Sequence, residues 1–541
     1  MFFIVIMAFA LVLSEGLPPS QCNLFAGSPY TAGSPLIGTL TIVVAQLLLV
    51  AAAAFVSSRL TIGRLDYAAE GHDRAINTFS RCHRVLLGIV AFALVATMIF
   101  TPWAPLVREG WHLGRIPLLG DLVILAPFFI SLAIIWTIFY PADLRIREAA
   151  VALSSHSASP ETVQQSNDGG DLYVDGHSSL GTYLLDKFRH QVLIIAVPMS
   201  MIVFAKYFTD LARTEAEWPL FTRVPWAADS LLGLVSMCIL TCAPLMLRYI
   251  WVTEPLPAGP LRDRFVKTCR RIGLRYREIL LWHTHGTAIN AAVMGFVAPL
   301  RYILVSDALL ETMDEEEIEA VFGHEAGHVR HWHLQFFILF ALVSMYVSGG
   351  VFLLLVYSGV VTDESLLQLA SLAVLMAAWL FGFGWLSRRF ERQADLYGVR
   401  CVTPDIKSCT DGCPVHGTGK KPSTTSDQPA ALSNRQSPKV DRQSAIPPSP
   451  GLCTGAASLF GRTLLRIAQL NGIPKDALSW RHGSIEDRCR LIERFTSDAT
   501  AVRRFDRTIL LIKIGLVVAS VVGTALAAWI YGGVILEILS S

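Results

Sequence analysis

The chain has 541 residues, of which 53% are hydrophobic and 16% charged, with a mean hydropathy of +0.48. That balance excludes an ordinary soluble globular protein. A formal net charge of +2 gives no argument for a nucleic-acid partner, and none is expected; the sequence shows no internal repeat.

In chain order, the first apolar run is Met1 to Leu13. It lacks a basic start, and reads as a signal peptide's apolar core, a first membrane helix or a mispredicted start, with the membrane helix preferred. Stretches long enough to cross a bilayer follow at Leu36 to Val56, Val85 to Phe100, Leu118 to Tyr140, Val192 to Phe208 and Ser230 to Trp251. Three more follow at Leu334 to Val356, Leu366 to Phe383 and Ile509 to Ile535; the last fits one tilted helix or two tight segments. Lipid bilayer is therefore one partner.

The loops between these stretches alternate in basic charge. Arg59, Arg64, Arg74, Arg81 and Arg84 crowd the first, and Arg262, Arg264, Lys267, Arg270, Arg271, Arg275 and Arg277 the fifth, whereas the turn Val361 to Glu364 is acidic. Basic loops stay on the cytoplasmic side. The reading is a multi-pass protein of the cell (inner) membrane with residues 252–333 and 387–507 facing the cytoplasm. Ser154 to Ser179 is rich in Ser, Gly and Asp and reads as a flexible connection. Thr403 to Gly451, rich in Pro, Ser, Thr and Lys, reads as a disordered insertion. Its Cys409, Cys413 and His416, with Cys401 and Cys453 at the borders, match no trusted metal-ligand spacing and read as unpaired cytoplasmic thiols.

The stretch that decides the chemistry is His324-Glu325-Ala326-Gly327-His328, an H-E-x-x-H pattern. Residues four apart on a helix are turned by about 40°, so both imidazoles can face one zinc ion. Glu325 then stands beside the metal, where it can take the proton of an attacking water. Asp314 to Glu317 supply first-turn acids, and Ile318, Val321, Phe322 and Val329 recur at helical spacing. A catalytic zinc needs a third protein ligand, and Glu391 is the candidate. Asp395 lies four residues on, placed to accept the outer N–H of a ligating histidine. His331 and His333 read as interfacial or solvated, with His333 pointing well away from the His324–His328 face.

These motifs resemble the integral-membrane zinc endopeptidases that include the CaaX prenyl proteases and the HtpX-like heat-shock proteases. The resemblance runs from about Arg271 to Leu491 and takes in Asn290 to Gly295, Tyr302 to Leu310, Gly323 to Val329 and Arg389 to Asp395. It implies an edge strand at Asn290, Ala291 and Gly295 on which an extended peptide lies, held by backbone pairing. A late element, His482-Gly483-Ser484 to Arg488, departs from the family's usual His-Pro. His482 there is either a donor to the oxyanion of the reaction or a capping or surface residue, and Arg488 beside it is placed with the substrate-binding groups.

The expected fold class is thus mainly α and polytopic, with a zincin-like α+β catalytic unit holding a small sheet from roughly Glu278 to Ser306. The expected division is 1–251 as an N-terminal membrane domain, 252–333 as the first part of the peptidase unit, 334–386 as a membrane hairpin, 387–507 as its second part and 508–541 as a C-terminal membrane segment. The expected function is zinc-dependent hydrolysis of peptide or membrane-protein substrates, in quality control or processing, with one zinc per chain. A CaaX-type processing protease and a catalytically silent receptor or scaffold are the alternatives. A transporter would require charges within several spans, which are nearly free of them.

Overall fold

A computed structural model of the protein describes residues 35–65, 69–116, 118–157, 179–214, 218, 221, 225–284, 289–403, 409, 413, 415 and 451–540. The apolar run at Met1 to Leu13, most of the two polar insertions, His285 and His416 lie outside them. The described chain forms two compact units, one ending at Val252 and the other holding nearly everything after it.

The first unit is a bundle of long helices: α1 (Pro35–Ile62), α2 (Ala69–Phe100), α3 (Leu119–Ser157), α4 (Leu180–Thr214) and α5 (Pro225–Ile250). Each contains a run long and apolar enough to cross a membrane. Leu86, Val90 and Leu94 of α2 meet Val50 of α1 and Ile124, Phe128 and Ile135 of α3 in one buried core. Leu48, Leu49 and Phe55 face outward, as a lipid-facing surface requires. Thr97 Oγ1 donates to Gln46 Oε1 across α1 and α2 at 2.8 Å.

Several helices outrun the apolar stretches that announce them. α3 continues past Tyr140 through a polar turn in which Arg147 pairs with Asp143 at 2.7 Å, and it reaches Ser157, so the first residues of the expected flexible connection are helical. Hydropathy marks where a helix meets lipid; hydrogen bonding decides where it ends. Eight described helical runs are long and apolar enough to cross a membrane, one for each of the eight stretches found in the sequence.

The second unit is built on a four-stranded mixed sheet: β1 (Thr253–Pro255), β2 (Glu278–Trp282), β3 (Ala291–Met294) and β4 (Tyr302–Ser306), in the order β1-β2-β4-β3. β4 is buried throughout and pairs in parallel with β2 and antiparallel with β3. β1 was not expected; three residues ending in proline offer no strand periodicity to read. Helix α6 (Pro260–Ile272) presses Phe265 edge-on to Phe322. It also directs Arg264, Thr268 and Arg271 at Glu319, a buried carboxylate with three partners.

After a short helix α7 (Asp307–Thr312) come α8 (Glu315–Arg330) and the apolar α9 (His333–Ser358). Next, α10 (Glu364–Ala377) runs through a wide turn at Ala378–Phe383 directly into α11 (Gly384–Val402), as one rod over Leu366–Val402. The expected break near Phe383 is absent, so a membrane-length helix carries Glu391 and Asp395 on its end. α12 (Thr454–Leu470), α13 (Ile485–Ser497) and α14 (Ala499–Ser540) complete the unit, and the last is a single helix of 42 residues.

Candidate metal centre

Helix α8 begins where its sequence says it should. Asp314 is the N-cap and forms a reciprocal capping box with Glu317, and three glutamates occupy the positive end of the helix. Arg466 also meets Glu317, at 2.8 Å. Ile318, Phe322 and Ala326 are buried, which orients the opposite edge of the helix towards α11.

Glycine allows α8 and α11 to cross closely. A Cβ on Gly327 would lie 3.0 Å from Ala394 Cα and 3.1 Å from Tyr397 Cβ; on Gly323 it would lie 2.8 Å from Cys401 Cβ. Across the crossing, a Cβ on Gly398 would lie 3.1 Å from His324 N and would strike the Phe460 ring. Small residues at positions 323, 327, 394 and 398 therefore set the spacing of the two helices that carry the chemistry. A larger side chain there would cost on the order of 1–3 kcal/mol of overpacking.

The crossing brings three ligand-type side chains to one point. His324 Nε2 lies 3.2 Å from His328 Nε2, His324 Nε2 lies 3.5 Å from Glu391 Oε2, and His328 Nε2 lies 3.6 Å from Glu391 Oε1. A tetrahedral ion with N and O ligands at about 2.0–2.1 Å has ligand–ligand edges of about 3.3 Å. The triangle matches that size, and these three residues could hold one metal ion. Glu391 Oε2 is buried and makes no well-aligned hydrogen bond among the described residues, although His482 Nδ1 approaches it at 3.0 Å.

Asp395 stands behind this triangle, its Oδ1 2.8 Å from His324 Nδ1. Arg488 of α13 grips the same carboxylate twice, at 2.9 and 2.5 Å. Arg488 is only 8% exposed, and its guanidinium is turned onto Asp395. The loop ahead of α13 is pinned to α11: Arg388 donates to Trp480 O at 2.8 Å and Trp480 Nε1 to Leu380 O at 2.7 Å. Gly483, at φ +75°, turns that loop so that the half-exposed His482 reaches Glu391.

His333 is the residue that sequence reasoning misplaced. Its Nδ1 lies 2.9 Å from His328 Nδ1 and its Nε2 lies 2.9 Å from Gln393 Oε1, while its ring stacks on Phe390 at 4.3 Å. Lys513 of α14 donates to the same Gln393 oxygen at 3.0 Å and to His331 O at 2.8 Å. The expectation extrapolated one helix past His331, but α8 stops at Arg330. Trp332 takes φ +59° and starts a new helix, which swings His333 back behind His328. No glycine or proline signals that break.

Charge is distributed unequally over the two imidazoles. Burial works against the charged form of His324, but the Asp395 and Glu391 carboxylates beside it outweigh this and lift it to about 10. Burial and the neighbouring charge of His324 push His328 down to about 3. Burial also raises Glu325 above the usual carboxylate range, which moves it towards the basicity of a working proton acceptor.

β3 lies at the edge of the sheet, pairs only with β4 among the described strands, and packs against α8. Asn290 exchanges backbone and side-chain hydrogen bonds with Ser306 at 3.0 and 3.1 Å. Gly295 ends the strand at φ +111°, where a Cβ would strike Leu300 O. Ala291 is buried and Asn290 is exposed.

An H-E-x-x-H helix is crossed by a second helix carrying a carboxylate, and the described residues hold eight membrane-length helices, which defines the class: a multi-span membrane protein with a peptidase-type group of side chains that could hold a metal. Residues 256–408 match the model of peptidase family M48. The chain is 27% identical over 190 residues to a CAAX prenyl protease 1 homolog of Arabidopsis thaliana, covering 32% of this chain and 44% of that protein. It is 32% identical over 120 residues to a protease HtpX homolog of Archaeoglobus fulgidus, covering 21% and 36%. With protease HtpX of Xanthomonas axonopodis pv. citri it shares 29% over 167 residues, covering 28% and 55%. The chain thus spans less than half the length of the first two relatives. Ste24p of S. mikatae superimposes with a TM-score of 0.44 at 14% identity, over 86% of this chain and 99% of that one.

Proposed function

We propose that the protein is a membrane-embedded zinc endopeptidase that cleaves peptide bonds of membrane-protein or peptide substrates at the cytoplasmic face. The observation that carries this reading is the triangle of His324, His328 and Glu391, with edges of 3.2 to 3.6 Å and Glu325 beside it. Zinc held there supplies a Lewis acid that acidifies water and polarises the scissile carbonyl. Glu325 takes the proton of the attacking water and hands it to the leaving amine. His482, on its loop over Glu391, is placed to donate to the developing oxyanion. Asp395, itself held by Arg488, fixes the ring of His324 through Nδ1. The edge of β3, from Asn290 and Ala291 to Gly295, holds an extended peptide by backbone pairing.

Quality control or processing of membrane proteins follows from a strand-edge site with little side-chain selection. The test compares purified wild-type protein on two substrates, an unfolded membrane protein and a prenylated CaaX peptide. Cleavage of the first, dependent on zinc, supports the reading; cleavage of the prenylated peptide alone moves the protein to CaaX processing; cleavage of neither, with zinc bound, leaves a receptor or scaffold.

The His333 relay leads to a prediction about affinity. Replacing His333 with alanine removes the group behind His328 without touching a ligand, and outer partners of this kind are worth about 10–100-fold in metal affinity. Zinc competition against a chelating dye is expected to show a loss of that size, with kcat at saturating zinc far less affected.

Orientation is tested separately. Epitope tags placed at 361–364 and within 403–451 are expected to be reached by antibody from opposite sides of sealed membranes, the second only from the cytoplasmic side. The reverse result would place the metal centre outside the cytoplasm.

A further inference from the structure

A second cluster of metal-ligand type lies outside the candidate active site. Cys409, Cys413 and Cys453 bring their sulfurs within 4.8 Å of one another, with Cys409 Sγ and Cys453 Sγ 3.2 Å apart. That exceeds a disulfide bond of about 2.0 Å, and three thiols do not pair off completely. A tetrahedral zinc site with Zn–S bonds of about 2.3 Å has sulfur–sulfur edges of about 3.8 Å, between these two separations. Thiols buried merely as small apolar groups account for a place in the core, but not for convergence on one point.

Two of the three sulfurs are buried, and polar groups point at Cys453 and Cys409. Cys413 and Cys453 are 2% and 0% exposed and sit in a core with Val402, Leu452 and Phe460. Cys453 immediately precedes the 17-residue helix α12, whose first-turn N–H groups favour negative sulfur. Ala456 N–H points at Cys453 Sγ at 3.5 Å, and the Thr454 hydroxyl lies 3.6 Å from Cys409 Sγ.

We propose that Cys409, Cys413 and Cys453 bind a second, structural zinc ion as three of its four ligands. The fourth position goes to water or an exogenous thiol. The ion ties the two ends of the long polar insertion to the junction of α11 and α12. Phe460 of α12 packs against Gly398 and near the ring of His324, so the tie supports the crossing that shapes the first metal centre. This replaces the expectation of unpaired thiols in a loop.

The test uses the full chain, purified in detergent with reductant and without chelator. Zinc-edge X-ray absorption on the wild type is expected to show sulfur neighbours at about 2.3 Å alongside N and O neighbours. The sulfur signal should persist in Glu391→Ala and disappear in Cys453→Ser. Elemental analysis should give about two zinc ions per wild-type chain and about one in Cys413→Ser. Because the sulfur signal is read on the wild type, an unstable variant does not decide the matter. Absorption with N and O neighbours only, or an unchanged zinc count in Cys413→Ser, overturns the proposal. A reductant-sensitive mass deficit of two hydrogens, locating a Cys409–Cys453 disulfide in protein prepared without reductant and still lacking zinc–sulfur bonds once reduced, overturns it too. Failure of the catalytic reading is distinct, since it removes the N and O signal that Glu391→Ala should weaken.

Discussion

Glu325→Gln is expected to abolish peptide cleavage while zinc occupancy stays at the wild-type level. The amide keeps the shape of the carboxylate and leaves His324, His328 and Glu391 untouched, but it accepts no proton at neutral pH. General-base catalysis alone contributes about 10²–10⁴-fold, and here the same group also returns the proton to the leaving amine, so the loss should reach at least the upper part of that range. The paired readouts are turnover of an unstructured peptide and zinc by elemental analysis on the same preparation. Residual turnover within tenfold of wild type would show that another base operates, and His482, 3.0 Å from Glu391 Oε2, would be the first residue to examine.

Glu391→Ala is expected to strip the catalytic zinc and with it all cleavage. Among the described residues three side chains could hold this ion, and Glu391 is the anionic one of them. Its removal leaves only the two histidines to hold the ion, with Asp395 behind His324 and already engaged by Arg488. Metal loss should exceed that of His333→Ala by a wide margin, because a ligand is lost and not its support. The remaining zinc should be the sulfur-bound ion alone. The same site makes the wild-type affinity pH-dependent in a definite direction. In the metal-free protein His324 stays protonated up to about 10, so zinc entering below that pH must displace a proton. Apparent affinity is expected to rise by up to about tenfold per pH unit between pH 6 and 8, measured by dye competition. A flat profile would mean that His324 is already neutral and that the Asp395 contact does not hold a proton there.

Both experiments rest on groups that were legible before any fold was known. His324, Glu325 and His328 announce themselves through spacing on one helix, because a four-residue repeat and a 3.6-residue turn put both rings on one side. Glu391 and Asp395 were legible for the same reason, once a third ligand was required. The eight membrane-length helices were legible because lipid demands long runs of apolar side chains, and a local composition records that demand directly.

What escaped reading depends on groups distant in sequence or on a break without a signal. His333 was misplaced because the end of α8 at Arg330 is set by packing and by the left-handed turn at Trp332, not by glycine or proline. The pairing of Arg488 with Asp395 has no local signal, because its partner lies 93 positions earlier. Cys409 and Cys453, 44 positions apart, form no spacing motif, since the chain between them is free to vary in length while the sulfurs still meet. The two glycines of α8 are ordinary in a sequence, and only the crossing with Ala394 and Gly398 makes them necessary. The sequence by itself determined the membrane helices and the residue types of the metal centre, because period and hydropathy are local. Only the tertiary structure decided which groups orient those ligands and where the second cluster closes, because these follow from side chains brought together by packing and not by order along the chain.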